Sequence, residues 1–591
     1  HRYAESLTYR MATATGDCGS PLLVQSDMFD RKIVGFHFGG EPGEGACSII
    51  TRDDIMKLDL TELYETNVKQ IKPQGCANID DFPLRKGSFV LLGTTDHPPN
   101  CPTRSSLIPS ELQLAGVEST MMPARLSTSL AEDKPLVKGL MKNAQEVRCL
   151  NRRAVVNAVK SYNNLLSSCS VLEQDRKILP YHEACAGIAG DPYYGSIARS
   201  KSAGWPFMII AQGKTCYLGS DEWDFTSEAS KQLKKIVADM EEMCARGEVP
   251  EVYFVDTLKD EKRPAEKVLA GKTRVFAASP LHFTILFRKY FMGFMAHVMR
   301  NRITLESCVG VRAKGYDWGK LARKLNTFPG RIVAGDFENF DGTVQHELFS
   351  EIVEIVNQWY SDSERARRIR RALWYCISNS KHILQKYVYQ MTHGQPSGNP
   401  GTAVFNSIYI SLAFRYCWSL HYLDDSNKIG AFNHFVQLVC YGDDWLMSVS
   451  RETDFTPSVL SERLQELGMR VTSEDKTELT DDFRDISEVS FLKRGFVYDK
   501  KLGYWFAPLA EQSIREMTLW IRKTHNVELA TKENMEGAME ELIAHPRETF
   551  EKYERLFRDK LPSYALSYVP WTDGRLLMSM GTWMKDMEVT C

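Results

Sequence analysis

Four aspartates in two short segments are the residues of this sequence best placed to do chemistry. In 331–343, RIVAGDFENFDGT, an apolar run ends at Asp336, and Asp341 follows five residues on, past a turn. A carboxylate at the end of a buried strand costs desolvation free energy unless it is paired or binds a metal. In 434–450, HFVQLVCYGDDWLMSVS, two β-prone runs flank Tyr441-Gly442-Asp443-Asp444, which predicts a hairpin with adjacent aspartates at its tip. Neighbouring like charges repel unless a divalent cation neutralises them, and hard oxygen ligands of this kind suit magnesium. Aspartate-bearing turns are common, so the second segment alone says little. With Asp336 it supplies the carboxylates that hold two metals about 3.5–4 Å apart for in-line displacement at phosphorus.

The segments that must position these groups surround them in the chain. Between the aspartates lies 394–409, GQPSGNPGTAVFNSIY: a flexible loop with Ser397, Gly398, Pro400 and Gly401, then a helix with Val404, Ile408 and Leu412 on one face. Thr402 and Asn406 are neighbours on that helix, a hydroxyl-plus-amide face suited to a ribose. Upstream, 259–274, KDEKRPAEKVLAGKTR, holds six basic and three acidic residues, and its Pro264 and Gly271 argue against a helix. Residues 226–247 predict a capped amphipathic helix ended by Gly247, 281–300 a more apolar one, and the last eighty or so residues a helical layer. Residues 66–105, with five prolines, suit a linker or extended arm. The mixture is α+β rather than a regular βαβ series.

Composition bounds the class. The chain has 591 residues, 43% apolar and 25% charged, the profile of a folded protein with several domains or of one large multi-part enzyme. Its 73 basic and 76 acidic residues give a net charge of −3, which carries no global sign of nucleic acid. The apolar run 281–299 is broken by Arg288 and Lys289, so no transmembrane segment is expected. Fourteen cysteines are scattered without metal spacing, as in a reducing compartment. A start at His1 reads as a piece of a longer polypeptide.

The D-x4-D of 336–341, the S-G-x3-T-x3-N of 397–406 and the YGDD of 441–444, in this order, resemble the RNA-dependent RNA polymerases of picorna-like positive-strand RNA viruses, dicistrovirus or iflavirus type. SAGWPF at 202–207 is similar to that family's template-entry motif, with Trp205 where tyrosine is usual. FLKR at 491–494 is similar to its primer-grip hairpin, and 259–274 to its basic fingers motif. The resemblance covers roughly 75–591 and implies a right hand: fingers about 75–330 and 345–395, palm about 331–508, thumb about 509–591. It implies two Mg²⁺ ions, with Mn²⁺ able to substitute, on Asp336 and Asp443, with Asp444 as accessory ligand. Asp341 and Asn406, with Ser397 and Thr402, would read the 2′-OH that separates RNA from DNA chemistry. Lys259, Arg263, Lys267 and Arg274 would neutralise the triphosphate, and Lys476 would protonate pyrophosphate. Ser202, Gly204, Lys493 and Arg494 would meet template and primer. The implied partners are viral RNA, nucleoside triphosphates, a small protein primer and other viral replication proteins, at membrane-associated complexes in the host cytoplasm. An arginine run, RARRIRR at 365–371, suits RNA backbone, another replication protein or solvent equally.

Residues 1–74 carry a second resemblance. Cys18 in TATGDCGSP and His37 in GFHFGG are similar to the nucleophile and the glutamine-pocket histidine in the second barrel of the chymotrypsin-like cysteine proteases of the same viruses. Seventeen residues before Cys18 are too few for the first barrel, so a partial β-barrel without proteolytic activity of its own is expected. Gln74-Gly75 fits a protease–polymerase junction. Two other classes stay in view for the whole chain: a reverse transcriptase, which would carry an aromatic gate in place of Asp341, and an inactive RNA-binding replication subunit, which would not need metal carboxylates and triphosphate cations together.

Overall fold

Four short strands make the sheet that presents the aspartates. In a computed structural model describing residues 6–10, 18–23, 33–41, 43–49, 82–84, 88–210, 213–473 and 477–583, their order is Val436–Tyr441, Asp444–Val449, Ile332–Glu338, Arg470–Thr472, all antiparallel. The strands are apolar almost throughout because both faces are covered. On one face, Ile332, Ala334, Val439 and Leu446 pack with Trp318 and Leu321 of the helix Tyr316–Leu325. On the other, Phe337 and Trp445 meet Phe414 of the helix Thr402–His421, ring centroids 6.4 and 4.8 Å away. That helix is buried on nearly every side, as an all-round apolar sequence demands.

A five-stranded sheet of order Val275–Ala278, Tyr253–Leu258, Lys381–Leu384, Tyr387–Met391, Phe89–Thr94 stands beside it in sequence and topology. Its interior holds one polar chain: Asp256 accepts from His382 Nδ1 at 2.8 Å and from the Tyr389 hydroxyl at 2.6 Å. The strand Phe89–Thr94 corrects the reading of 66–105 as linker; prolines flank this strand but do not enter it. The helix expected over 226–247 runs Glu228–Ala245, capped by Ser227 and followed by Gly247 at φ +84°. The helix Leu281–Arg300 also lies where expected. Among the described residues no helix is long and apolar enough to cross a membrane.

The C-terminal layer is helical: Glu511–Leu519, Val527–Leu542, Arg547–Lys560 and Trp571–Ser579. An arm from before residue 120 is built into it. Leu112 and Val117 share one apolar cluster with Ile514, Leu519, Met535 and Met539, and Leu107–Pro109 pairs antiparallel with Trp520–Arg522. The buried carboxylate of Glu516 closes the junction, accepting from Ser119 Oγ at 2.6 Å, Thr120 N at 2.8 Å and Thr120 Oγ1 at 3.0 Å.

The chain divides into two compact units, His1–Val68 and Lys69–Cys591. Among the described residues the first unit holds a four-stranded antiparallel sheet of order Ser6–Tyr9, Glu44–Ile49, Ile33–Glu41, Pro21–Leu23. Gln74-Gly75 lies outside the described residues.

Removing the Glu516 carboxylate takes a buried, charged acceptor away from three partly buried hydrogen bonds, and a hydrogen bond to a charged group contributes about 1.5–3 kcal/mol. Glu516→Ala should therefore lower the apparent melting temperature by several degrees and expose the arm around residues 105–123 to limited proteolysis. Unchanged melting and cleavage would show that the arm is held by its apolar contacts alone.

Candidate active site

Strand register brings the aspartates together. Gly335 pairs with Trp445, so one residue further along Asp336 comes opposite Asp444, beside the turn that carries Asp443. Asp443 is open to a cleft whose walls withhold much of its water. That desolvation, with the repulsion of Asp336, holds its carboxyl above the usual carboxylate range, against the pull of Arg274 and Lys259. Asp444 is turned aside: it accepts the Leu492 N–H at 2.7 Å, at the tip of the 491–494 hairpin. Leu492 and Lys493 both have positive φ, 54° and 61°, as a two-residue type I′ turn requires. Among the described residues no group of three or more His, Cys, Asp or Glu converges to cage an ion. Two carboxylates that repel each other in a desolvated cleft nevertheless fit magnesium, which takes one or two carboxylates and completes its shell with water and substrate phosphates.

Asp341 lies one short helix turn beyond Asp336, in Phe340–Thr343. Asn406 Nδ2 donates to its Oδ1 at 3.0 Å, while Asn406 Oδ1 is buried without a protein partner. Such an orphaned acceptor at a cleft floor is what a ligand hydroxyl would satisfy. Desolvation raises the Asp341 carboxyl to about 6, the Asn406 bond pulling it down and Asp443 pushing it up. The loop before Asn406 is held against the larger sheet: Gly398 runs so close to Ala277 that an added Cβ would sit 2.0 Å from its carbonyl oxygen. Thr402 faces its own loop, its hydroxyl within 3.2 Å of Ser397 O and 2.9 Å of Asn399 O. The structure thus brings Asp341 and Asn406 together and gives Thr402 and Ser397 to the loop's shape.

The cations gather on an acid the sequence reading passed over. Glu261 binds Arg274 Nε at 2.6 Å and lies 3.6 Å from Lys259 Nζ. Although burial opposes it, Arg274, Lys259 and Arg263 hold its carboxyl below the usual range. Arg274 also feels Asp443 and Asp341. Arg263 donates to Lys272 O at 2.8 Å, and Lys142, whose ammonium burial makes easier to deprotonate, is pushed further the same way by Arg263, Lys272 and Lys267. Within this segment the expectation of no helix is corrected: Ala265–Leu269 forms one, starting directly after Pro264, where a missing N–H costs nothing.

The Arg494 guanidinium is committed to Glu541 at 2.7 Å and to Ala507 O at 3.1 Å, whereas Lys493 is exposed. Ser202 Oγ accepts the Gly204 amide at 3.2 Å, and Trp205 beside them is buried, donating to His97 O. In the arginine run, Arg370 is fully buried on Asp362, Arg371 pairs with Glu354 and Arg365 with Glu242. Lys476 lies outside the described residues. In the first unit Cys18 is exposed with Sγ 3.5 Å from Phe38 O, and His37 Nδ1 meets the Tyr9 hydroxyl at 2.5 Å. Sequence reasoning also missed Glu306. Buried under the hairpin, it takes a bidentate Arg415 at 2.7 and 2.8 Å while its backbone carbonyl accepts Cys440 N.

A helix-backed antiparallel sheet with carboxylates at a hairpin tip, closed by an arm reaching the C-terminal helices, is a right-hand polymerase fold. The Sicinivirus 3Dpol RNA dependent RNA polymerase shares it, with a TM-score of 0.70 at 21% identity over 84% of this chain and 100% of that one. The model of the family of viral RNA-dependent RNA polymerases matches residues 115–565, and the chain belongs to that family, whose members work with divalent metal ions on RNA and nucleoside triphosphates. The replicase polyprotein of Drosophila C virus is 33% identical over 92% of this chain, and that of Cricket paralysis virus 32% identical over 92%. The RNA1 polyprotein of Cowpea mosaic virus is 27% identical over 98%. The chain spans about a third of the length of these curated relatives, 33%, 33% and 31% respectively.

The raised Asp341 carboxyl has a stability consequence of definite sign. A folded-state value of about 6 against 3.8 unfolded means that the native state keeps its proton longer, so stability is full below about 4 and falls as pH rises through 6. Asp341→Asn should therefore raise the unfolding free energy at pH 7–8 in the presence of a chelator, by up to about 3 kcal/mol. The gain should shrink below pH 6 and vanish near pH 4. A gain independent of pH would contradict the assignment.

Proposed function

We propose that this chain copies RNA from RNA by two-metal nucleotidyl transfer at the cleft beside the 436–449 hairpin, replicating a viral positive-strand genome as part of a polyprotein. The observation that carries the reading is the convergence of Asp336 and Asp443 under the field of Arg274 and Lys259. Asp336 and Asp443 would hold Mg²⁺, or Mn²⁺ in its place, with Asp444 as an accessory carboxylate through its outer oxygen. The ions would neutralise charge around the reacting phosphate. Phosphoryl transfer asks mainly for positioning and charge compensation. Lys259, Arg263, Lys267 and Arg274 supply that compensation for the triphosphate. Asp341 and Asn406 orient the ribose, the free Asn406 Oδ1 accepting a hydroxyl proton while Asp341 fixes the amide. The 3′-hydroxyl of the primer attacks the α-phosphorus, the bond to pyrophosphate breaks, and Lys476 would give the leaving group its proton.

Residues about 331–508 act as palm, about 75–330 and 345–395 as fingers and about 509–591 as thumb, with Ser202, Gly204 and Lys493 along the template and primer path. A small protein primer, other replication proteins and a membrane-associated site in the host cytoplasm complete the reading. Residues 1–74 we assign to the trailing part of a chymotrypsin-like cysteine protease, with Cys18 in its nucleophile loop and His37 in its glutamine pocket. The antiparallel sheet of that unit supports the assignment.

Primer extension on an RNA template tests the polymerase. Asp443→Ala should reduce incorporation by more than about a thousandfold, and chelation should abolish it. Asn406→Ala should narrow the preference for ribonucleotides over deoxyribonucleotides more than it weakens RNA binding. Extension that survives Asp443→Ala would refute the metal assignment. For the junction, co-expression with the full upstream protease should release a product whose first residue is Gly75; another N-terminus would remove Gln74-Gly75 as the site.

A further inference from the structure

The turn that carries Asp443 is held by a residue outside the assigned set. Gly442 opens this two-residue turn in the left-handed region, φ +60°. Its N–H donates to Ser407 Oγ at 3.0 Å. The same hydroxyl donates to Ala403 O at 2.8 Å, so both its capacities are used. A second tie runs from Cys440 Sγ to Ser407 O at 3.3 Å. Ser407 is 1% exposed, so no water competes for these bonds. The preceding residue on the same helix is Asn406, bonded to Asp341.

We infer that Ser407 is a positioning residue: it fixes the Gly442-Asp443 turn and couples it to the ribose-reading end of the helix Thr402–His421. A serine that bonds back to the carbonyl four residues earlier is ordinary inside a helix. The bond to Gly442 is not, because it joins the helix to the Tyr441–Gly442 peptide, the unit from which the chain turns through Gly442 to aim Asp443. Glycine leaves that peptide intrinsically free, and the six-residue strands on either side fix only its ends. Without the hydroxyl the Gly442 amide loses its buried acceptor and the peptide can turn toward the cleft, carrying the Asp443 carboxylate off its line with Asp336. Because Asn406 and Ser407 are consecutive on one rigid helix, a displacement that seats the ribose is transmitted to the turn. The inference rests on Asp443 as a metal ligand.

The test is single-nucleotide incorporation across a Mg²⁺ titration, with Ser407→Ala, Ser407→Thr and Ser407→Cys measured beside Asp443→Ala. Ser407→Ala should lower kcat by about tenfold or more, raise the Mg²⁺ concentration needed for half-maximal rate severalfold, and leave KM for the nucleotide and binding of the primer–template nearly unchanged. Ser407→Thr keeps the hydroxyl and should recover most of the rate at low Mg²⁺. A Ser407→Ala enzyme with wild-type kcat and Mg²⁺ dependence overturns the inference, and so does a fall in kcat with no shift in Mg²⁺ requirement, which is what loosened packing alone would give. Should Ser407→Ala not fold, Ser407→Cys, similar in size but a weak acceptor, is judged by the same two readouts. Asp443→Ala separates the levels: if it is inactive while Ser407→Ala is normal, only the coupling falls, and if it is active, the metal reading falls with it.

Discussion

Two carboxylates that repel each other are brought together by β-pairing, and much of the unit is arranged around that constraint. Asp336 and Asp443 come from strands more than a hundred residues apart, and only the register of the antiparallel sheet makes them neighbours. Left to themselves they would loosen the hairpin tip. The apolar strands behind them, clamped by Trp318 on one face and Phe414 on the other, oppose that loosening with many small packing contributions. The buried Glu306–Arg415 pair adds a polar brace from the helix to the hairpin strand. Removing one partner of such a pair leaves an uncompensated charge, so its value lies in geometry more than in net stability.

Charge is then balanced in layers rather than in the total. A chain of net charge −3 looked indifferent to nucleic acid, yet the sum hides a cleft in which aspartates and cations face each other. Glu261 sits among the cations and keeps Lys259, Arg263 and Arg274 from driving one another apart. Lys142 reports the opposite condition: burial and three like charges weaken its hold on a proton. An anionic phosphate chain would relieve that strain, whereas the aspartates need a cation. The two halves of the cleft therefore ask for complementary ligands, which is what a metal–nucleotide complex offers.

Much of this was legible in the sequence, and the misses have physical causes. Asp336, Asp341, Asn406 and the GDD turn could be read because local patterning alone puts a carboxylate at a strand end or a hairpin tip. Residues whose role depends on a distant partner could not. Glu306 meets Arg415 and Ser407 meets Gly442 only through tertiary packing, which no spacing along the chain announces. The partner of Arg494 was hidden for the same reason: Glu541, which takes its guanidinium, belongs to the C-terminal layer. The arginine run looked like a basic face, yet the helix turns Arg370 inward onto Asp362. The strand Phe89–Thr94 was missed because its flanking prolines outweighed six residues of β-prone sequence.

The segment 259–264 ties these layers together by strand periodicity. Lys259, Glu261 and Arg263 lie toward the aspartates, while Asp260 and Lys262 lie the other way. Asp260 accepts from Ser105, Ser106 and Arg522, at 2.5, 2.6 and 2.9 Å. Lys262 donates to Glu516 O at 2.6 Å. Successive side chains of an extended segment point to opposite sides, so one short stretch faces the nucleotide site with one set of residues and the arm–helix junction with the other. The closed ring of the hand and the charge lining of its cleft are thus two faces of the same few residues. A change that loosens the junction should shift Lys259, Glu261 and Arg263 with it, because they alternate with Asp260 and Lys262 along the same segment. Fixing Lys259 and Arg263 on an extended segment tied down by Asp260 and Lys262, rather than on a free loop, removes much of the entropy that binding would otherwise have to overcome.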